Sequence, residues 1–490
     1  MRVLVFGSCP LPVEKDLPAQ GPGIRTWQLM KPVCDFDHTV CAALLRTEGL
    51  YQGLTGDSVV STPYKNLTVY NMRYEAFSDK ERVRKIAEEF KPDAVLGAAS
   101  VLPNFMASQV ADLAPFWADC FGDPIAEIQA KAEIYGAERC AEELFGVWKY
   151  YRAVLSCADQ FSALSDAQNH ALAGQLALLG RLGCETSGFP FIYTIPCGVE
   201  DAPQEFPQSS EPFLRGRKFP ENAFVVCFSG SYNTWMDADY MFEVLEESMR
   251  RIPNLFFLSI GGGTKGYNEK IYEDFCAKVS ASPHKDRYIL CGWVPFQDVP
   301  RYYAQSDVGI NIDRFTYEGV LGSRNRILQF LAHGLPVVTT PLSEISIQLA
   351  KRGLVNCFRM KNEKGCTFVT EPLPLLLQNL SSDPEKLKKA GRLAQKVILE
   401  EYNFTRTAAP LLDWLVAPTR SPDNEIRIKR KSSEEPVYLN EIERLNDYDR
   451  LQKELDFLNG EKTQLDAFRK NSFYRILKGI KQLIHHERED

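Results

Sequence analysis

Twice along this chain, short apolar runs that end in glycine alternate with stretches of helical period, and a polar segment separates the two series. That double alternation constrains the fold more than any other feature. Strands joined by helices pair in parallel through crossovers, and a parallel sheet needs cover on both faces. The first series opens with an apolar run at residues 2–6 ending in Gly7. It continues through a proline-rich loop to Gln20, the run Gly21-Pro22-Gly23-Ile24-Arg25, and a helical stretch over 26–33. Strand-like 38–43, helical 80–90 and strand-like 92–97 follow, and the alternation persists to 193–199. The second series has strand-like 224–228, helical 238–251, strand-like 255–260 before Gly261-Gly262-Gly263, and strand-like 287–290, 308–312 and 336–339 around a helix at 323–333.

The expected architecture is α/β: two doubly wound, Rossmann-like domains facing across a cleft, with a C-terminal helical tail. The first domain spans 1–200 and the second 221–416, joined by a Pro-, Ser- and Glu-rich connection at 201–220. A polar linker at 417–436 leads to the tail at 437–490. Ligands of such sheets bind beyond the strand carboxyl ends, so two facing sheets place a ligand between them. The first strand is followed by Gly-Ser-Cys-Pro-Leu-Pro instead of a GxGxxG turn, which disfavours a nicotinamide oxidoreductase.

Composition narrows the function classes. A formal net charge of −7 disfavours a general nucleic-acid binder. Thirteen scattered cysteines without a CxxC pair argue against a zinc site or a secreted disulfide framework, and for a reduced cytoplasmic protein. The N-terminus reads as a short strand rather than a signal peptide, and no run of about twenty apolar residues spans a membrane.

The segment from Tyr317 to Val338 carries the chemistry. A polar loop containing Glu318 enters a helix through Ser323, Arg324, Asn325 and Arg326. The helix passes Gln329 and ends at Gly334 before a strand. Free N–H groups and the positive dipole end of such a helix suit a diphosphate, and two arginines add full charges. Glu318 is placed to hold ribose hydroxyls, and His333 reads as a helix-end residue.

This segment resembles the donor-binding helix of GT-B glycosyltransferases of the family-four (glycosyl transferases group 1) class. Glu318 with the Arg324-Asn325-Arg326 run resembles a branch common in bacterial surface-polysaccharide clusters, while Gln329 stands where the class has its second glutamate. The run from Phe228 to Asp237, with Gly230 and Asn233, is similar to the loop after the first strand of the donor domain. It lacks the Arg and Lys that many relatives carry there. Gly292-Trp293-Val294-Pro295 is similar to the turn that cups the nucleotide base. Gly21, Gly23 and Arg25 resemble the N-domain loop that closes on donor and acceptor. Asp119 and Glu127 lie where the class places acceptor-side polar groups.

The resemblance implies a retaining transfer from a nucleotide-diphosphate sugar to a glycan or lipid-linked acceptor. It uses no cofactor or metal, and Arg324, Arg326 and Asp119 are the catalytic candidates, with Arg25 a further source of charge for the leaving group. A sugar-nucleotide 2-epimerase and a catalytically silent scaffold remain open alternatives. In the tail, Tyr448, Leu451, Leu455, Leu458 and Leu465 form a short heptad pattern that permits a homodimer, interrupted at Lys462. The 470–484 stretch reads as a basic amphipathic helix that suits the inner face of the plasma membrane or a protein partner.

Overall fold

The computed structural model describes residues 1–47, 49–51, 54, 56–201, 213–264, 268–359, 371–430 and 441–470. Its first sheet contains β1 (Arg2–Cys9), β2 (Thr39–Arg46), β3 (Ser58–Tyr64), β4 (Leu67–Met72), β5 (Ala94–Gly97), β6 (Phe116–Cys120), β7 (Gln160–Ala163) and β8 (Ile192–Thr194). Their spatial order is β3-β4-β2-β1-β5-β6-β7-β8, and only β3 runs antiparallel to its neighbour. The second sheet contains β9 (Phe224–Ser229), β10 (Leu255–Ile260), β11 (Tyr288–Leu290), β12 (Val308–Asn311), β13 (Val337–Thr339) and β14 (Asn356–Cys357). It is parallel throughout, in the order β11-β10-β9-β12-β13-β14. Strand order reverses between β1 and β5 in one domain and between β9 and β12 in the other. Each reversal opens a crevice at the strand carboxyl ends.

Both sheets are covered on two faces, which explains why β1, β5, β6 and β9 are apolar almost throughout rather than alternating. Leu4, Phe6, Phe116 and Phe161 pack on one face of the first sheet, and Val3, Val5, Leu29 and Trp117 on the other. The second sheet has a matching pair of cores, around Phe228 and Phe257 on one side and Val225, Leu258 and Phe330 on the other.

Several boundaries differ from the sequence reading. β1 continues past Gly7 to Cys9, because residues 7–9 pair in register with Leu44–Arg46. The run at 21–25 is no loop: the helix Gly21–Asp35 begins there, with Pro22 in its first turn, where a missing N–H costs nothing. The antiparallel edge strand β3 was not anticipated; its half-exposed residues carry little pattern.

The C-terminal boundary also shifts. After the helix Pro384–Glu401 the chain returns to the first domain. The Val199 N–H donates to the Tyr402 carbonyl and the Phe404 N–H to the Val199 carbonyl, the Gln28 amide reaches Thr407 at 3.0 Å, and Trp414 packs on Trp117 at 5.5 Å. Residues 417–430, expected as a solvated linker, include the helix Pro422–Arg430 and are held by a buried polar clasp. Arg181 pairs with Asp423, while Asp159 accepts from the Ser421 N–H at 2.9 Å and the Asn424 amide at 2.8 Å. The polarity that resembled a linker matches buried charges on the first domain. The connection at 201–220 likewise has its described part, from 213, docked on the second domain, with Leu214 and Phe219 buried and Arg215 paired to Asp307 at 2.7 Å.

The last described element, Glu441–Lys470, is a 30-residue helix on which Leu451, Leu455, Leu458 and Leu465 are all exposed. Beyond Lys470, the expected 470–484 helix lies outside the described residues. Among those described, no helix is long and apolar enough to cross a membrane, and every cysteine is a free thiol.

Candidate active site

The carboxyl ends of the two sheets face each other across a cleft of about 770 Å³. Ser8, Ala99 and Asp119 line it from the first domain, and Ser229, Gly230, Asn311 and Asp313 from the second. The walls touch at the rim. The Gln20 amide donates to Thr264 at 3.0 Å, the Phe296 N–H to the Leu17 carbonyl at 2.9 Å, and the Ser165 hydroxyl to the Leu321 carbonyl at 3.1 Å.

The second domain's floor of the cleft is built from glycines at adjacent strand ends. Gly230 and Gly261 have φ of +97° and +128°, and a Cβ on Gly261 would meet the Gly230 carbonyl at 2.0 Å. Only glycine combines that conformation with that approach. Asn268 braces the loop from behind, its amide giving hydrogen bonds to Ser231 at 2.7 Å and Asn233 at 2.8 Å. The Trp293 indole donates to the Gly263 carbonyl at 3.0 Å, which fixes its ring beside Val294 at the cleft wall.

The expected helix over 323–333 is present as Asn325–Ala332, and the loop before it contains a short helix of its own. Tyr317–Leu321 is a short helix, residues 322–324 turn, and Asn325–Ala332 starts anew. This break gives the two arginines different fates. Arg324 turns inward: its guanidinium holds Asp313 at 2.7 Å and Glu318 through paired bonds of 3.0 and 2.9 Å. Burial works against its charge, yet Asp313 and Glu318 together push its pKa up. Glu318 is therefore buried in an ion pair, and does not stand in a polar loop with its carboxylate free for ribose.

Arg326 forms no ion pair among the described residues. Its guanidinium stacks on the Phe228 ring at 4.2 Å, donates to the Ser231 carbonyl at 3.0 Å, and lies 3.8 Å from where a Gly230 Cβ would stand. Burial pulls its pKa down to about 10, which leaves it charged at neutral pH. A cation without a direct ion pair among the described residues thus sits over a glycine floor at the start of a helix. Beside it, the buried Asn325 Oδ1 has no hydrogen-bond partner, and the half-buried Gln329 side chain lines the same wall. His333 closes the helix with its ring nitrogen 2.8 Å from the Gln329 carbonyl.

Residues 223–363 match the family model of glycosyl transferases group 1. The matched segment holds the whole glycine floor, from β9 to the helix bearing Arg326. No curated protein matches the chain by sequence. Among solved structures, the chain is similar to sucrose-phosphate synthase from Thermosynechococcus elongatus, with 15% identity over 86% of this chain and 100% of that one, at a TM-score of 0.60. It is also similar to Anabaena HepE in complex with UDP, with 14% identity over 85% of this chain and 100% of that one, at 0.53. A third is the catalytic domain of starch synthase IV from Arabidopsis thaliana bound to ADP and acarbose, with 12% identity over 85% of this chain and 98% of that one, at 0.54. At such identities the likeness is one of fold: two Rossmann-like domains in the GT-B arrangement.

Outside the matched segment, the first domain's candidates are distributed differently from the sequence reading. Gly21 borders the cleft, but Gly23 lies beneath it, where a Cβ would strike the Pro10 carbonyl at 2.1 Å. Arg25 points into the domain, bonded to Asp119 at 3.0 and 2.7 Å and to the Ile195 and Pro196 carbonyls at 2.9 and 3.0 Å. Asp119 also accepts from the Ser162 hydroxyl at 2.6 Å. Each neutralises the other, and the pair fixes the β6 end. The Asn268 brace and Asp313 were missed by the sequence reading. Asp313, a charge immediately after an apolar strand, is the one that carried a signal.

Glu318 gives a pH prediction. Burial raises its pKa to about 7, against the pull of Arg324. Unfolded, the group titrates near its ordinary 4.5. Between those values the folded protein binds more protons, so this contribution is complete below pH 4.5 and lost as pH rises through 7. Urea midpoints should carry that downward component in the wild type and lack it in Glu318→Gln; an identical profile in both rejects the assignment.

Proposed function

We propose that this chain is a glycosyltransferase that moves a sugar from a nucleoside-diphosphate sugar to a glycan or lipid-linked acceptor. Transfer proceeds with retention and needs neither metal nor bound cofactor. The observation that carries the reading is Arg326, a half-buried cation with no ion pair among the described residues, over the Gly230 loop at the start of the Asn325–Ala332 helix. A departing diphosphate gains negative charge, and a preorganised cation with free helix N–H groups lowers the barrier without reorganising. Arg326 thereby supplies charge that the run from Gly230 to Asp237 lacks. The UDP bound to HepE and the ADP bound to starch synthase IV support a nucleoside diphosphate as the leaving group. Trp293 and Val294 would flank its base, and Asn325 and Gln329 would meet sugar or ribose hydroxyls. Rim contacts such as Gln20–Thr264 favour exclusion of water during transfer. We place the acceptor in cell-surface polysaccharide synthesis at the cytoplasmic face of the membrane, on the strength of the basic 470–484 sequence.

The test is thermal stabilisation by UDP, GDP, dTDP, CMP and NAD. One nucleoside diphosphate at a hundredfold excess over its Kd should stabilise the fold by about 2.7 kcal/mol, and Arg326→Ala should abolish the shift. Turnover should then survive EDTA, and the product should keep the donor's anomeric configuration. Gln329 and the missing Arg/Lys pair favour a second reading, a silent scaffold that recruits a partner. Absence of a shift with every nucleotide would select it.

A further inference from the structure

Four arginines are almost wholly withdrawn from solvent: Arg25 at 1%, Arg46 at 5%, Arg181 at 1% and Arg324 at 5% exposure. Three have carboxylate partners: Asp119 for Arg25, Asp423 for Arg181, and Asp313 with Glu318 for Arg324. Arg46 has none among the described residues. Its Nε donates to the Asn71 side-chain oxygen at 2.6 Å and its Nη2 to the Asn71 carbonyl at 3.2 Å. Its Nη1 reaches the Leu54 and Gly56 carbonyls only at 3.4 and 3.3 Å. Every one of these acceptors is neutral. Tyr51, whose ring lies 5.7 Å from the guanidinium, gives its hydroxyl to Glu14, and Glu14 also accepts from the Leu11 N–H. That carboxylate forms no ion pair with Arg46.

A buried ion without a counter-charge is costly, and proteins rarely keep one where no ligand answers it. Arg46 ends β2 beside Cys9 at the end of β1, and lines the cleft with Ser8, Thr47 and Ser100. It therefore stands at the carboxyl edge of the first sheet, in the same cleft as Arg326 but on the other domain. Among the described residues, the two arginines without carboxylates that line this cleft belong to opposite walls. Arg326 answers the diphosphate of the donor; the second cation calls for a second anion.

We infer that Arg46 binds an oxyanion, a phosphate or a carboxylate, carried by the acceptor, so that the acceptor is an acidic sugar rather than a neutral one. A guanidinium fork matches either group in a bidentate manner, and the long Nη1 contacts are the ones a stronger acceptor would replace. The inference rests on the transferase reading, because it takes the first domain's half of the cleft as the acceptor side.

Calorimetric titration of the full chain with glucose 6-phosphate, glucuronate and glucose at low ionic strength tests it. At least one charged sugar should bind tenfold or more tightly than glucose, and the two charged probes distinguish phosphate from carboxylate. Asn71→Asp places a carboxylate against Arg46 in nearly the original shape. It should raise the ligand-free melting temperature and weaken binding of the charged sugar at least tenfold. Arg46→Gln should abolish the preference; should that variant fail to fold, Asn71→Asp still decides. Arg326→Gln should leave the charged-sugar affinity unchanged while losing the nucleotide shift. Equal affinity for charged and neutral sugars, or no binding of any, overturns the inference. So does loss in Arg326→Gln with retention in Asn71→Asp, which would put the anion in the donor half. The nucleotide shift is read separately, so failure at Arg46 is distinguishable from failure of the transferase reading.

Discussion

Arg326→Gln should lower kcat by about 10²–10³-fold, the usual cost of removing one preorganised donor of charge stabilisation. The effect is large because, among the described residues, no neighbouring cation substitutes for it. Arg324 is two residues away, but Asp313 and Glu318 hold it, and Arg25 is turned into the first domain by Asp119. The substitution removes a stack on Phe228 and one bond to the Ser231 carbonyl, so the fold should survive it. Arg324→Gln should behave differently, strands Asp313 and Glu318 as buried acids, and should be read mainly as lost stability. Steady-state kinetics with the stabilising nucleotide's sugar, set beside urea midpoints for both variants, separates the cases. An Arg326→Gln enzyme within threefold of wild type would remove Arg326 from the reaction.

Arg181→Met should destabilise the protein by about 3–5 kcal/mol, the cost of breaking a buried pair from one side. Arg181 holds Asp423 and the Ser421 hydroxyl from the returning segment, together with the Leu155 and Ala158 carbonyls of its own domain. Methionine fills the space but leaves Asp423 buried, with Arg427 as its remaining cation. The double variant Arg181→Met with Asp423→Leu should regain most of the loss, because an apolar pair of similar volume replaces the ion pair without stranding a charge. Urea denaturation of the single and double variants measures both effects. A single-variant loss under about 1 kcal/mol would mean that the clasp behaves as an exposed ion pair.

The clasp marks where sequence reading stops. Ser421, Asp423 and Asn424 are polar, close to prolines and charges, and in one dimension they look solvated. Their partners, Asp159 and Arg181, lie more than two hundred residues earlier. The 21–25 run shows the reverse error. Two glycines suggested a loop, yet Pro22 starts a helix and Gly23 serves the close passage of Pro10.

What the sequence determined by itself is the double α/β alternation, and with it two largely parallel sheets whose carboxyl ends line a cleft. Those follow from local period and apolar runs, which do not depend on distant partners. It also singled out Gly230 and the Arg324–Arg326 run, which the structure brings to the cleft. Only the tertiary structure decided which charges remain available there. Arg324 and Arg326 are the same residue type two positions apart, and a break between two helices turns one toward two carboxylates and the other over Gly230. Likewise, nothing local distinguishes Arg46 from Arg25: one meets Asp119 across 94 residues and the other meets only neutral oxygens. Whether a buried cation is spent on the fold or kept for a ligand depends on which groups the packing brings within about 4 Å of it, and an order of residues alone does not contain that distance.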